Sequence, residues 1–399
     1  MPSPRARRLS QNAALALLSC LAALGLIEIG LRLFWSDFYL KFRPEQPSGD
    51  TQFHPERGWA LVPGIRVTQG DNEFTVTHTH NALGFRGPEV AAHKSPGRPR
   101  VLVLGDSMTY GRGVEDAETY PAVLAQREPG LEVIDAGVPG YSGVEELLLL
   151  REDGMRLAPD VVILGFFWND VADAFHGRYA RFELENGALR FVPPSPASPD
   201  HPAFRNKLRR RERRTGPIYS LVNHSYTWRF ASDRLKLLHL MLDEWWHGPA
   251  ENPGLDASEQ EPAWQLSFAL IREMRRVAEQ GGARFLLLAI PDQVQVEQGT
   301  RVVGAPHYLY EVPQRLAGFA RAEGIEMLDL LRELRTRCSD RDPCYYRFDR
   351  HWNARGHREA AELLDAKLRS LGWQGGRRSR PTRSEPEASE GGLPPGQPR

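Results

Sequence analysis

The run from Val101 to Gly111, VLVLGDSMTYG, places the strongest constraint on the fold of this chain. Four consecutive apolar residues, Val101 to Leu104, lead directly into Gly105, Asp106 and Ser107. An apolar run of this length that ends in a glycine turn predicts a buried strand of a parallel sheet. Because reactive groups collect at the carboxyl ends of parallel strands, Ser107 becomes a candidate functional side chain.

The chain beyond this run alternates between short apolar runs and segments with helical periodicity. Further strands are predicted at Leu131 to Ala136, Val161 to Phe166, Ala283 to Ile290 and Ile325 to Leu330, and helices at Val144 to Leu157, Trp264 to Glu279 and Val312 to Glu323. Alternation of this kind is typical of a parallel sheet with crossover helices. We therefore expect an α/β fold, a three-layer α/β/α sandwich with a five-stranded parallel sheet.

The N-terminal segment is long and apolar enough to cross a bilayer. Between Ala13 and Trp35 the only charged residues are Glu28 and Arg32, and several arginines precede the segment. Basic residues on the short side predict that residues 1–12 stay cytoplasmic and that the rest of the chain faces the periplasm or the cell exterior. A cleaved signal peptide and a lipoprotein signal ending at Cys20 are the alternatives.

The predicted organisation places an N-terminal extension at 36–100 and the main domain at 101–371. An insertion at about 172–262 interrupts this domain, and the tail at 372–399 is poor in apolar residues and predicted to be disordered. The sequence of the insertion predicts a hairpin at Asn186-Gly187 and an aromatic-rich apolar helix from Ile218 to about Trp246, with a basic run between them. It is interpreted as a satellite core, with a lid or a membrane-facing arm as the alternative.

Composition narrows the range of partners. The chain has 399 residues, with 51 Lys and Arg against 51 Asp and Glu, so no net charge favours nucleic acid as a partner. The histidines at 78 and 80 are interpreted as a solvated strand face, because two such ligands alone seldom hold a metal. Cys338 and Cys344 lie close together in a polar loop, where a disulfide and two free thiols are both compatible with the sequence.

Partners for Ser107 follow later strands. Asp349 and His351 lie in RFDRHWNARGH, in the loop after the last predicted strand and just before a helix that Asn353 could cap. This position predicts that they lie at the sheet edge where Ser107 also emerges. A histidine can accept the serine proton and an aspartate can orient that histidine. The segment from Gly137 to Ser142, the Asn169 amide and the Ser107 N–H could donate to an oxyanion, whereas Asp170 is interpreted as a helix cap.

These motifs together resemble those of the SGNH (GDSL-like) hydrolase superfamily. GDSMTYG is similar to its first block, GVPGY to the second and WND to the third. The resemblance implies Ser107 as nucleophile, Gly140 and Asn169 as oxyanion donors, and Asp349 and His351 as the remaining catalytic residues. The two-residue spacing of Asp349 and His351 is shorter than usual and is similar to the membrane-anchored and polysaccharide-acylating branches. No cofactor or metal is implied.

Three functions are compatible with this pattern. The first is a serine esterase that acts through an acyl-enzyme on acyl esters, among them O-acylated carbohydrates. The second is an O-acyltransferase, in which a glycan hydroxyl replaces water and the first half-reaction is the same. The third is a non-catalytic carbohydrate-binding scaffold.

His357 is the alternative to His351 as the base, although it falls inside a predicted helix.

Overall fold

The chain forms the predicted α/β architecture. The computed structural model describes residues 4–34, 49–70, 73–91, 93–177, 179–195, 197–201, 225–228, 230–231, 235, 255–296, 308–339, 341–347 and 349–373. The strands are β1 (Thr51–His54), β2 (Gly58–Leu61), β3 (Arg66–Gly70), β4 (Thr75–Thr79), β5 (Arg100–Gly105), β6 (Glu132–Gly137), β7 (Val161–Phe166), β8 (Arg181–Glu185), β9 (Ala188–Val192), β10 (Arg284–Ala289) and β11 (Glu326–Asp329). The helices are α1 (Pro4–Phe34), α2 (Ser107–Tyr110), α3 (Tyr120–Arg127), α4 (Gly143–Glu152), α5 (Asp170–His176), α6 (Ala257–Gln280), α7 (Gln293–Val296), α8 (Tyr308–Glu323), α9 (Leu331–Arg337) and α10 (Ala354–Ser370).

The central sheet has five parallel strands in the order β6-β5-β7-β10-β11. Each of these strands agrees with its predicted bounds to within one residue at each end. Strand β5 is second from one edge of the sheet, with Leu104 opposite Ala136 of β6 on one side and Leu164 of β7 on the other. The chain changes direction across the sheet at β5, and such switch points are where α/β proteins bind ligands. Ser107 follows β5 at this point.

Both faces of the sheet are covered by helices. Leu102 and Leu104 of β5 pack in one apolar layer with α4, α5, α6 and α8, whereas Val101 and Val103 pack in the other with α3, α9 and α10. All four side chains are fully buried. Burial on both faces explains why β5 is a continuous apolar run rather than an alternating one.

The N-terminal extension forms two antiparallel hairpins, β1–β2 and β3–β4, which pack against the main domain. The prediction of a solvated face for His78 and His80 is wrong, because both side chains are buried. His80 Nδ1 donates to the Val62 carbonyl (3.0 Å), so its Nε2 accepts from the Tyr110 hydroxyl (3.0 Å). Burial lowers the pKa of His80 and favours this neutral form.

The insertion is described only in part. The hairpin at Asn186-Gly187 is confirmed as β8–β9, and both turn residues have positive φ angles (52° and 79°). The basic run and most of the apolar helix predicted from Ile218 to Trp246 lie outside the described residues. Helix α6 begins seven residues before the predicted Trp264, because an Asp256–Glu259 capping box starts it and Pro262 is accommodated within its early turns.

Helix α1 contains a 24-residue stretch, Gln11–Phe34, that is long and apolar enough to cross a membrane. It is the one such helix within the described residues. The stretch overlaps the predicted anchor closely. Which side of the membrane each end occupies remains a prediction from the flanking arginines.

Glycines at the strand ends allow α2 to lie directly on the sheet edge. A Cβ on Gly137 would lie well inside contact distance of the Tyr110 backbone N, and one on Gly165 would overlap the Thr109 hydroxyl. The turn that carries Ser107 therefore packs against β6 and β7 with no room for a side chain at either position.

We expect Gly137→Ala to lower the free energy of unfolding by about 1–3 kcal/mol, because the added methyl group must displace backbone atoms of α2. Denaturant unfolding of the detergent-solubilised protein would measure the change. Gly318→Ala is the matched control, since Gly318 lies in α8 with no heavy atom near its virtual Cβ, and we expect it to be neutral or slightly stabilising. Equal effects of the two substitutions would contradict the role of close packing at Gly137.

Candidate active site

Ser107, His351 and Asp349 form a continuous chain of hydrogen bonds. Ser107 Oγ lies 2.7 Å from His351 Nε2, and His351 Nδ1 lies 2.5 Å from Asp349 Oδ1. Because an ionised carboxylate only accepts, Nδ1 carries the proton and Nε2 is free to accept from the serine hydroxyl. The arrangement matches the geometry by which an imidazole base removes a serine proton.

The turn that begins α2 fixes the position of Ser107. Ser107 is the first residue of α2, and the Asp106 carboxylate accepts the Met108 backbone N–H (2.8 Å) as the cap of this turn. Burial raises the pKa of Asp106 to about 6, although that hydrogen bond opposes the shift. The cap holds the serine at the exit of β5.

The histidine and aspartate come from the loop between α9 and α10. Asn353 caps α10 as predicted, since its side-chain oxygen accepts the backbone N–H groups of Arg355 (3.0 Å) and Gly356 (3.1 Å). Arg350, between the two candidate residues, has a φ of 70°. This left-handed residue allows Asp349 and His351 to meet although only one residue separates them.

Arg112 is a contact of Asp349 that the sequence analysis missed. Its Nε donates to Asp349 Oδ2 at 3.0 Å, so the carboxylate binds His351 through one oxygen and Arg112 through the other. Burial acts to raise the pKa of Asp349, but His351 and Arg112 outweigh it and hold this pKa well below its usual range. The carboxylate therefore stays ionised next to the imidazole.

Glu73 of the N-terminal extension is the second missed contact. Its carboxylate oxygens accept the backbone N–H groups of Arg347 and Asp349, both at 2.8 Å. The neighbouring Phe74 packs against Tyr346 with ring centroids 5.1 Å apart. The extension therefore holds the backbone of the loop that carries Asp349 and His351.

The predicted oxyanion donors lie in the loops after β6 and β7. Gly140 occupies the turn after β6 with a φ of 82°. Asn169 precedes α5, and its Nδ2 donates to Asp173 Oδ2 at 3.1 Å. Asp170 does not cap the helix as predicted, because its carboxylate accepts the Phe167 N–H (2.8 Å) from the preceding loop, and Asn169 stands at the cap position instead. No hydrogen bond of the described residues joins Gly140 or Asn169 to Ser107.

His357, the alternative base, lies away from the serine. It is fully buried inside α10, and its Nδ1 accepts the Tyr120 backbone N–H at 3.1 Å. Burial lowers the pKa of His357 to about 3, with Arg86 and His351 contributing in the same direction. The ring is thus a neutral acceptor in the core, and the structure pairs Ser107 with His351.

Cys338 and Cys344 form a disulfide between the end of α9 and the loop before Asp349. This resolves the choice that the sequence left open.

Within the described residues, no group of three or more His, Cys, Asp or Glu side chains could hold a metal ion.

The chain is thus an α/β protein in which a serine, a histidine and an aspartate are joined by consecutive hydrogen bonds. The family model described as SGNH hydrolase-like domain, acetyltransferase AlgX, matches residues 245–394. The match includes Asp349 and His351, covers fewer than half of the residues, and begins after Ser107. Residues 245–394 are therefore similar to an SGNH hydrolase-like domain, in agreement with the resemblance seen in the sequence.

A comparison with curated proteins finds no match. Several solved structures are similar to this chain. A GDSL-like lipase from Bacteroides thetaiotaomicron is 15% identical, with 71% of this chain and 91% of the lipase covered and a TM-score of 0.36. A member of the lipolytic G-D-S-L family from Veillonella parvula is 11% identical (68% and 97% covered, TM-score 0.36), and an acetyl xylan esterase is 13% identical (67% and 99% covered, TM-score 0.38).

We expect Glu73→Ala to slow the labelling of Ser107 by a fluorophosphonate about tenfold, because the loop carrying Asp349 and His351 loses two backbone hydrogen bonds and the base shifts from the serine. Labelling rates measured by gel fluorescence would test this. Glu89→Ala is the matched control. Glu89 likewise accepts a backbone N–H, but that of Ala82 within the extension, away from the loop that carries Asp349 and His351. Equal labelling of the two variants would contradict the role of Glu73.

The buried His357 predicts a pH dependence of stability. The pKa of His357 is lower in the folded protein than its ordinary value of about 6.5 in the unfolded chain. The unfolded chain therefore binds a proton on this imidazole more tightly than the folded protein does. Its stabilising effect is complete above about pH 6.5 and declines toward pH 3, by up to about 1.4 kcal/mol per pH unit. Relative to His357→Gln, the native protein should lose stability on acidification over this interval, as measured by denaturant unfolding. A difference that does not change with pH would contradict the prediction.

Proposed function

We propose that this protein is a serine-dependent hydrolase of acyl esters that acts outside the cytoplasm. The observation that carries the proposal is the hydrogen-bonded chain from Ser107 Oγ through His351 to Asp349. The SGNH hydrolase-like family description that matches residues 245–394 agrees with the same chemistry.

The proposed reaction has two half-reactions. Ser107 Oγ attacks the ester carbonyl carbon while His351 Nε2 takes the hydroxyl proton, and the bond to the alcohol oxygen then breaks as His351 returns that proton to the leaving group. Water next attacks the acyl-enzyme, gives its proton to His351, and releases the carboxylic acid as Ser107 regains a proton. The ionised Asp349 stabilises the imidazolium in both steps.

The negative charge that develops on the carbonyl oxygen requires donors. We assign these to the Ser107 N–H, the Gly140 N–H and the Asn169 amide. An amide nitrogen carries two hydrogens, and the bond from Asn169 to Asp173 uses one and orients the other. Removal of one such donor typically lowers kcat about 10²- to 10³-fold.

The second candidate is O-acyl transfer to a glycan. It is favoured by the family description, which names an acetyltransferase and matches the part of the chain that holds Asp349 and His351. In this reaction a sugar hydroxyl takes the place of water in the second half-reaction, and His351 accepts its proton. A non-catalytic scaffold fits less well, because it would not need a serine hydrogen-bonded to a histidine.

The proposed location follows from α1 and from the disulfide. A membrane-spanning α1 with a cytoplasmic N-terminus would place the SGNH hydrolase-like domain in the periplasm or outside the cell. The Cys338–Cys344 disulfide supports this orientation, because disulfides persist in oxidising compartments.

We expect Ser107→Ala to reduce hydrolysis of a short acyl ester, such as p-nitrophenyl acetate, by about 10³-fold or more in kcat/KM, because the nucleophile is removed while the fold is kept. Ser370→Ala is the control, since that hydroxyl lies at the end of α10 and contacts only the Lys367 carbonyl in its own helix. Equal hydrolysis by both variants would overturn the proposal.

Product analysis separates hydrolysis from transfer. With an oligosaccharide added, mass spectrometry should detect the free acid as the main product if water is the acceptor. An acylated sugar that forms with the native protein and fails to form with Ser107→Ala would establish transfer instead.

A further inference from the structure

Glu28 and Arg32, the two charges of the apolar stretch, mark a contact surface on α1. Every residue from Gln11 to Ile27 is exposed, whereas Glu28 is partly covered and Leu31 is buried (9% exposed). Residues 28 and 31 lie on one face of the helix because they are three positions apart. The last turns of α1 are therefore covered on one side by another part of the protein.

Residues 225–227 of the insertion contact this face of α1. Glu28 accepts the Tyr226 N–H through Oε1 (2.9 Å) and the Thr227 N–H through Oε2 (2.8 Å). The hydroxyl groups of Ser225 (3.2 Å) and Thr227 (2.9 Å) also donate to Oε2. One carboxylate thus receives four hydrogen bonds from three consecutive residues, which is a specific contact between segments 197 to 199 positions apart in the chain.

Arg32 strengthens the same contact. Its Nε and Nη2 donate to Glu28 Oε1 at 3.0 and 2.8 Å, and its guanidinium lies 4.8 Å from the centroid of the Tyr226 ring. The Tyr226 side chain is buried at this contact (8% exposed). The ion pair and the cation–π contact therefore hold Tyr226 as well as the backbone around it.

The position of Glu28 relates this contact to the bilayer surface. Glu28 lies six residues before Phe34, the end of the apolar stretch, which is about 9 Å along the helix. A charge at this depth is costly unless it is paired and hydrogen-bonded, and Arg32 with residues 225–227 supplies these partners. If α1 has its N-terminus in the cytoplasm, the contact lies near the outer membrane–water interface.

Two large apolar side chains that follow this contact in the sequence are exposed. Trp228, directly after Thr227, is 59% exposed and Leu235 is 66% exposed. Tryptophan favours the membrane–water interface, where its ring is apolar and its N–H can reach water or headgroups. At the surface of a bilayer, lipid would cover these exposed apolar side chains.

We propose that the insertion docks on the membrane anchor through Glu28 and inserts Trp228 and Leu235 into the headgroup region of the outer leaflet. The docked surface comprises residues 225–227 together with the last turns of α1. A phospholipid bilayer is its partner, and the contact ties the insertion of the Ser107 domain to the membrane surface. The inference rests on the proposed membrane location of α1 and does not depend on the proposed catalytic activity.

The test uses the full-length protein in vesicles of phosphatidylcholine and phosphatidylglycerol. In a Cys20→Ser background, Leu235→Cys is labelled with bimane, and its fluorescence is compared in vesicles with and without doxyl-labelled lipid. We expect the doxyl-labelled lipid to quench bimane at position 235 about twofold or more. When Glu28→Ala is added, we expect the quenching to fall to the level measured for bimane on Ser370→Cys. Ser19→Ala is the matched control, because this anchor hydroxyl bonds only within α1, to the Leu15 carbonyl, and we expect it to leave the quenching unchanged.

Each outcome bears on the proposal. Vesicle flotation of the protein without quenching at position 235 overturns the docking but leaves the anchor intact. Quenching that persists in Glu28→Ala overturns the role assigned to Glu28. Failure to float with the vesicles overturns both the anchor and the docking. Ester hydrolysis does not enter the readout, so loss of the proposed activity would leave this test unaffected.

Discussion

The hydrogen bond between Ser107 and His351 joins positions 244 residues apart, and the rest of the candidate site depends on it. It forms because Ser107 follows the carboxyl end of β5 on the closely packed α2, and because the loop between α9 and α10 brings His351 to this serine. Gly137 and Gly165 make this packing possible, since neither position has room for a side chain. A shift of α2 would move the serine relative to an imidazole that is held independently by Asp349.

The N-terminal extension supports the three loops of the site. Glu73 binds the backbone of the loop carrying Asp349, and buried Arg86 donates to the carbonyls of Tyr110, Gly111 and Val114 after α2. Trp59 donates to the Pro139 carbonyl next to Gly140, at 3.2 Å. The extension thus contributes hydrogen bonds to each loop of the candidate site, and the division of the chain into 36–100 and 101–371 stays a prediction.

Sequence predicted the central sheet to within one residue at each strand end, because strands buried on both faces are uninterrupted apolar runs. It was wrong for His78 and His80, since alternation with threonine indicates which side chains share a face but not what covers that face. It also missed Arg112 and Glu73, which contact Asp349 from 237 and 276 positions away. Contacts over such distances have no local pattern that could reveal them.

The identity of the strands, the strand-end motifs and the apolar N-terminal helix are encoded locally, because hydrophobic periodicity and turn residues act over a few positions. The pairing of Ser107 with His351 rather than His357, the ionised state of Asp349 and the partners of Glu28 arise only in the folded chain. Each depends on burial and on charges brought from distant segments, and those are properties of the packed structure.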